Sequence, residues 1–273
     1  MCRNLDMFAQ MALGRASCVL AGSTHCLGNG LQAFSSGSTA HLPSLRASSA
    51  TLCCHYQTKA LMTGQFEIED TSAARVDLGS FPQGCVAVVF GASGGIGKAL
   101  LEAIESAQTF KHVISFSRSS SPAIDLADEG SLARAAELAA EQGELRLVID
   151  ATGFLHDERQ EPEKNWRQLD ATNLARAFAL NAIGPALIMK HILPRLPRSG
   201  KSVFATLSAR VGSIEDNRLG GWYSYRASKA ALNQLVRTAA IELTRRSPDA
   251  LCNALHPGTV STTLSAPFAA TGL

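Results

Sequence analysis

With 273 residues, 46% of them hydrophobic, and a formal net charge of only +2, the chain can bury a sizeable core, yet it offers neither a broad basic face for nucleic acid nor an acidic tail. It contains no run of eighteen or more apolar residues, which argues against a membrane-spanning helix and makes small-molecule chemistry the expectation. The seven cysteines (Cys2, Cys18, Cys26, Cys53, Cys54, Cys85 and Cys252) are odd in number and form no CxxC pair, so they read as scattered thiols and no metal site is expected.

Residues 1–62 are rich in Ser, Ala, Thr and Gly, carry Arg3, Arg15, Arg46 and Lys59, and contain Asp6 as their one acid. That is the composition of an organelle transit peptide. Its length and serine content favour a plastid over a mitochondrion, and a cytoplasmic protein follows if the segment is not a transit peptide. Residues 63–83 read as a lead-in. From Gly84 onward short apolar runs alternate with helical patterns, as stacked βαβ units require. Strands are expected at Cys85 to Phe90, His112 to Phe116, Leu145 to Ile149, Ser202 to Leu207 and Ala250 to Leu255. The unbroken apolarity of Cys85 to Phe90 marks a strand buried on both faces. Helices are expected after Ile96, over Leu174 to Leu196, and from Tyr223 to about Arg245. The resulting fold class is α/β, a Rossmann-type doubly wound parallel sheet in three αβα layers.

Immediately after the first strand comes Gly91-Ala92-Ser93-Gly94-Gly95-Ile96-Gly97, opening into a helix. A pyrophosphate must approach backbone N–H groups at the positive end of a helix, so side chains there have to be absent. This placement predicts dinucleotide binding by Gly91, Ser93, Gly94, Gly95, Ile96 and Gly97. The second strand ends in Ser117-Arg118-Ser119-Ser120, without the acid that would accept bonds from ribose hydroxyls and repel a 2′-phosphate. Arg118 can pair with that phosphate bidentately, which favours NADP(H) over NAD(H).

Tyr225-Arg226-Ala227-Ser228-Lys229 places a phenol and an ammonium four residues apart on one helical face, where the cation can stabilise the phenolate and bring proton transfer toward neutral pH. On these residues the chain resembles the short-chain dehydrogenase/reductases from about Gly84 to its end. The runs Ser208-Ala209-Arg210-Val211-Gly212-Ser213-Ile214 and Gly220-Gly221-Trp222-Tyr223-Ser224-Tyr225 are most similar to the C-factor and sniffer-type carbonyl reductases.

The resemblance implies an oxidoreductase interconverting a small-molecule carbonyl and alcohol, with Tyr225 as acid-base group and Lys229 also holding the nicotinamide ribose. It implies that Asn181 holds a relay water, that Asp125 contacts adenine, and that Ala151 and Gly153 stand in the family's NAG motif. Pro257, Gly258, Val260 and Thr262 match the PGxxxT segment over the nicotinamide. Relatives show Ser-Ser-x-x-Gly where this chain has Ser208-Ala209-Arg210-Val211-Gly212; Ser208 is the chosen substitute for the second serine, Ser213 or no hydroxyl being the alternatives. The chain stops at Leu273, before the strand and helix that usually finish the family's sheet. Family members often pair into homodimers through the helices around Asn181 and Tyr225. The rival function is a non-catalytic NADP(H)-binding sensor or interaction protein, with an epimerase or dehydratase behind it. Trp222 and Phe268 could line an apolar pocket.

Overall fold

The computed structural model describes residues 76–258, 260 and 262–271; the expected transit peptide and most of the lead-in lie outside them. Leu78 and Phe81, at the end of the lead-in, are nevertheless buried in the core.

Five parallel strands form one sheet. They are β1 (Val86–Phe90), β2 (His112–Phe116), β3 (Leu145–Asp150), β4 (Ser202–Leu207) and β5 (Ala250–Leu255), in the order β2-β1-β3-β4-β5. Every residue of β1, β3 and β4 is buried, as expected for central strands covered by helices on both sides. One face of the sheet, through Val86, Val88, Phe90, Val148 and Phe204, packs on Leu132, Ile188, Ile192, Leu232 and Val236. These come from α2 (Glu129–Glu141), α4 (Gly184–Ile192) and α5 (Tyr223–Arg246). The opposite face, through Ala87, Val89, Leu147 and Ile149, meets Leu100 and Ile104 of α1 (Gly95–Ala107). The three-layer arrangement therefore matches the reading from the sequence. Among the described residues β5 is the last strand, followed by a single 3-10 turn, Ala266–Thr271.

Two local features differ from the expected pattern. The long helix anticipated over 174–196 is broken into α3 (Ala171–Phe178), a π turn (Ala179–Ile183), α4 and a 3-10 turn (Leu193–Arg195). Pro185 has no N–H to donate to the carbonyl four residues earlier, that of Asn181, so regular winding fails there and the π turn forms. By length and hydropathy alone the span Ala171–Arg195 could cross a membrane, but Ile188, Met189 and Ile192 are buried in the core. The second feature is α2, which sequence periodicity did not reveal; its buried face is built largely of Ala135, Ala136 and Ala139.

The strand order sets the place where a ligand can enter. From β2 the chain crosses to β3 on the other side of β1, so the connections after β1 and β3 leave in opposite directions and a crevice opens at their C-terminal ends.

Candidate active site

The turn after β1 is defined by close backbone approach. Gly91 has φ +77°, and a Cβ there would stand 2.8 Å from the Ala151 carbonyl atoms and 2.9 Å from Thr152 N. At Gly97 a Cβ would lie 2.2 Å from Gly91 O. The N-cap of α1 is Gly94, which provides no side-chain cap, so the positive end of that helix faces the crevice bare of side chains, as a phosphate cradle requires. Ser93, Gly94 and Gly95 are exposed and Ile96 is half-buried. Thr262 closes on the same turn: a Cβ at Gly95 would meet its Cγ2 at 2.9 Å. Pro257, Gly258 and Val260 lead to it, and Ser265 Oγ ties the segment by accepting from Thr262 N at 2.9 Å and donating to Val260 O at 2.5 Å. The glycine turn and the PGxxxT segment thus meet although more than 160 residues separate them in the chain.

Arg118 emerges exposed from the end of β2 and makes no hydrogen bond or ion pair among the described residues. The serines around it are internally bonded: Ser117 N donates to Ser120 Oγ at 2.9 Å, and Ser119 N to Ser117 Oγ at 3.2 Å. Asp125 is exposed too, with its Oδ1 accepting from Ala127 N at 2.9 Å.

At the end of β3 the chain brings the other candidates together. A Cβ at Gly153 would stand 3.7 Å from both Asn181 Oδ1 and Lys229 Nζ, which puts amide and ammonium beside one backbone position. Asn181 is fully buried in the π turn; its Oδ1 accepts from Phe154 N at 2.7 Å, and its Nδ2 donates to Phe154 O at 2.8 Å and to Ser228 Oγ at 3.2 Å. The side chain is thus fully engaged within the protein.

Lys229, buried on α5, donates to Leu207 O at 2.7 Å and stands 6.0 Å from the centroid of the Tyr225 ring. Burial pulls its pKa down to about 8, opposed by the charge of Asp150. Asp150 is itself fully buried and its pKa is raised by burial, against hydrogen bonds from Thr152 Oγ1 at 2.5 Å and Thr206 Oγ1 at 2.6 Å. Tyr225 departs from expectation: burial pushes its phenol up to about 12. The hydrogen bond of the ammonium goes to the Leu207 carbonyl, so desolvation governs the phenol.

Ser208 Oγ donates to Asn233 Oδ1 at 2.6 Å. Asn233 lies two helical turns beyond Tyr225, about 12 Å along the axis, so the Ser208 hydroxyl is placed with Asn233 rather than with the phenol. Ser213 is exposed, its Oγ accepting from Asp216 N at 3.3 Å.

One wall of the site is aromatic. Trp222 meets Tyr225 edge-on at 6.1 Å between centroids and Phe268 at 5.1 Å, and Phe268 meets His156 at 5.2 Å. His156 Nε2 is 3.0 Å from Leu264 O. Sequence reasoning missed His156, because a lone histidine in a loop carries no periodic or motif signal. Among the described residues no group of three or more His, Cys, Asp or Glu could hold a metal ion.

A family model described as enoyl-(acyl carrier protein) reductase matches residues 96–272. The chain belongs to the short-chain dehydrogenase/reductase family. The C-signal protein of Myxococcus xanthus is 39% identical over 101 residues, 37% of this chain and 60% of that protein. A 1-hydroxy-2-glutathionyl-2-methyl-3-butene dehydrogenase from a Rhodococcus species is 31% identical over 148 residues, 54% of this chain and 61% of the relative. The matched segments thus span about three fifths of these two relatives. In fold the chain is similar to the NADPH-bound carbonyl reductase from chicken fatty liver, with TM-score 0.58, 24% identity, and coverage of 67% of this chain and 82% of that one. It is likewise similar to the carbonyl reductase Sniffer of D. melanogaster, with TM-score 0.56, 21% identity, and coverage of 66% and 83%. Homologues in this family are named dehydrogenases and reductases, and the solved neighbours share the Rossmann-like sheet.

The backbone contact at Gly91 makes a testable contrast. Gly91→Ala should lower unfolding free energy by about 1–3 kcal/mol, since it adds both backbone strain and overlap. Gly94→Ala, whose Cβ would find only Gly91 O at 3.4 Å, should cost less than about 1 kcal/mol. Urea unfolding of the two variants checks the difference.

Proposed function

We propose that this protein is an NADP(H)-dependent reductase and dehydrogenase that interconverts a carbonyl and an alcohol on a small molecule, with Tyr225 as the proton donor and acceptor. The observation that carries the reading is the continuity of the crevice. Gly91 packs on Ala151 and Thr152, Gly153 lies beside Lys229 Nζ and Asn181 Oδ1, and Lys229 shares a helical face with Tyr225. A phosphate cradle and an acid-base pair therefore border the same strand ends.

The residues present fit a nicotinamide dinucleotide. Gly91, Ser93, Gly94, Gly95, Ile96 and Gly97 would hold its pyrophosphate at the N-terminus of α1, with Thr262 over the turn. Ala151 and Gly153 offer backbone without bulk, and Asp125 and Arg118 flank the end of β2 where the adenosine would lie. Pro257, Gly258 and Val260 would border the nicotinamide. When bound, the dinucleotide supplies the hydride donor or acceptor. Arg118, exposed and unpaired among the described residues, suits a 2′-phosphate; structures similar in fold were solved with NADPH or NADP.

The chain's own part is proton handling. A phenol with its pKa at about 12 is protonated at neutral pH and able to give its proton to a substrate oxygen. The Lys229 ammonium one turn along stabilises the negative charge that develops on the phenol oxygen, and the Asn181 carbonyl offers an acceptor for a water that returns the proton. A dinucleotide-binding protein without turnover is the second reading, favoured by alanine at 209 and by the engagement of Ser208 with Asn233.

Carbonyl-dependent consumption of NADPH by the full chain tests the assignment. Tyr225→Phe should lose at least about 10²-fold in kcat while NADPH affinity stays within about twofold; NADPH binding by the wild type without turnover of any carbonyl in a broad panel would leave the second reading standing. A second outcome concerns pH. The pKa of Lys229 is lowered, so its charge is complete well below about 8 and disappears as pH rises through that value. Carbonyl reduction should accordingly fall above about pH 8, and a kcat/KM profile reads it. Third, Arg118→Ala should weaken NADPH binding by about 10-fold or more, the size of a charge-assisted phosphate contact, and leave NADH binding nearly unchanged, as fluorescence titration of the two coenzymes would show.

A further inference from the structure

The helix that carries Tyr225 and Lys229 begins without a cap of its own. Its N-cap residue, Trp222, has an indole that cannot accept from the first-turn N–H groups, and it sits in the left-handed region at φ 52° and ψ 43°, a conformation few large side chains adopt. Gly220 and Gly221, at φ +67° and +66°, lead into it. What holds this entry in place comes from elsewhere in the chain. Glu163, in the connection between β3 and α3, is 4% exposed. Its Oε2 accepts from Ser224 N at 3.1 Å, its Oε1 accepts a short hydrogen bond from Ser224 Oγ, and its backbone O accepts from Trp222 N at 2.5 Å. A Cβ at Gly221 would stand 3.3 Å from Glu163 O, so the two segments run in backbone contact.

We propose that Glu163 is a positioning residue for the active site: it supplies from another segment the N-terminal cap of α5, and so fixes Tyr225 and the Trp222 ring. Three considerations support this. A carboxylate at the positive end of a helix is stabilised by the N–H groups it faces, and both oxygens of Glu163 are used there, with no Lys, Arg or His paired to it among the described residues. Ser224, which it holds by main chain and side chain, is the residue before Tyr225. Trp222, which its carbonyl holds, forms the edge-on contacts with Tyr225 and Phe268 that make the aromatic wall. Glu163 meets neither Tyr225 nor Lys229 in any of these bonds, so its effect passes through Ser224 and Trp222. A glutamine can keep the arrangement, its Oε1 accepting from Ser224 N and its Nε2 donating to the Ser224 hydroxyl once that hydroxyl rotates; an alanine cannot.

The inference rests on the reductase reading for its kinetic arm, and its structural arm stands apart from it. In the full chain carrying Trp166→Phe, which removes the exposed second tryptophan, Glu163→Ala should shift Trp222 emission to the red and speed hydrogen exchange at the Ser224 amide, with Glu163→Gln close to wild type in both. Kinetically, Glu163→Ala should lower kcat about tenfold, the scale of a lost cap. NADPH affinity should stay within about twofold, and Glu163→Gln should recover kcat to within about threefold of wild type. Unchanged kcat and emission in Glu163→Ala would overturn the proposal. So would parallel loss of kcat, NADPH affinity and thermal stability, which assigns Glu163 to general folding. If the wild type turns over no carbonyl, the reductase reading fails by itself, and the emission and exchange measurements still decide whether Glu163 caps the helix.

Discussion

Two turns that belong to different βα units touch at the C-terminal edge of the sheet with no side chain between them. Gly91 lies against Ala151 and Thr152, and Gly97 lies against Gly91. Atoms as large as a methyl group would force these backbones apart, and because β1 and β3 are hydrogen-bonded neighbours in continuous register from Ala87 to Phe90, separation of their ends would propagate into the strands. The contact also fixes where the N-terminus of α1 points. Downstream, Gly153 hands the same reference frame to Asn181 and Lys229, and Thr262 returns from beyond β5 to the other side of the glycine turn. The crevice is thus surveyed from one backbone contact, and each polar candidate takes its position relative to it.

Charge is then introduced into a region that disfavours it. Lys229 is buried, and its ammonium is retained near neutral pH by one carbonyl at 2.7 Å and by the field of Asp150. Asp150 in turn depends on two threonine hydroxyls, one of them from β4. Burying either charge alone would be costly; with Asp150 at the end of β3 and Lys229 on α5, they offset one another without direct contact. Tyr225 receives no such support, so its phenol is held protonated. Under the proposed function this asymmetry would sort the pair chemically: one group holding a proton to give, the other a positive charge that favours the giving.

Much of this was legible before any coordinates. Apolar runs mark β4 and β5 to the residue, β4 because every one of its positions is buried and admits few polar substitutions. The glycine turn and the Tyr225 and Lys229 spacing are equally visible, since each encodes a local requirement, absence of bulk in one and a shared helical face in the other. What stayed hidden depends on partners distant in the chain. The π turn at Asn181 follows from a missing donor at Pro185, but periodicity runs smoothly through it. α2 hides because alanines pack it closely, leaving little hydrophobic contrast. Glu163 reads as one more charge in an acidic, polar loop, and only the fold brings it under Ser224. The lowered phenol pKa anticipated from the Tyr225 and Lys229 spacing failed for a related reason: spacing reveals who shares a face, whereas desolvation and the competing carbonyl of Leu207 are set by the whole neighbourhood.

Alanine at 209 changes what the rest of the site must do. In the family pattern a serine hydroxyl at this place shares the substrate oxygen with the tyrosine. Here the preceding hydroxyl is engaged by Asn233, so under the proposed function a carbonyl oxygen lying against Tyr225 would not share that second hydroxyl. One hydrogen bond fixes a distance but leaves rotation about it free, and productive geometry must then be enforced by shape. The groups available for that are the rings of Trp222, Phe268 and His156, locked edge to face, with Trp222 held by its strained backbone. Under the proposed function, orientation by a rigid aromatic wall in place of a second hydroxyl would favour substrates with a flat or bulky apolar face beside the carbonyl over small polar ones, because only the former would gain enough contact to offset the rotation they lose.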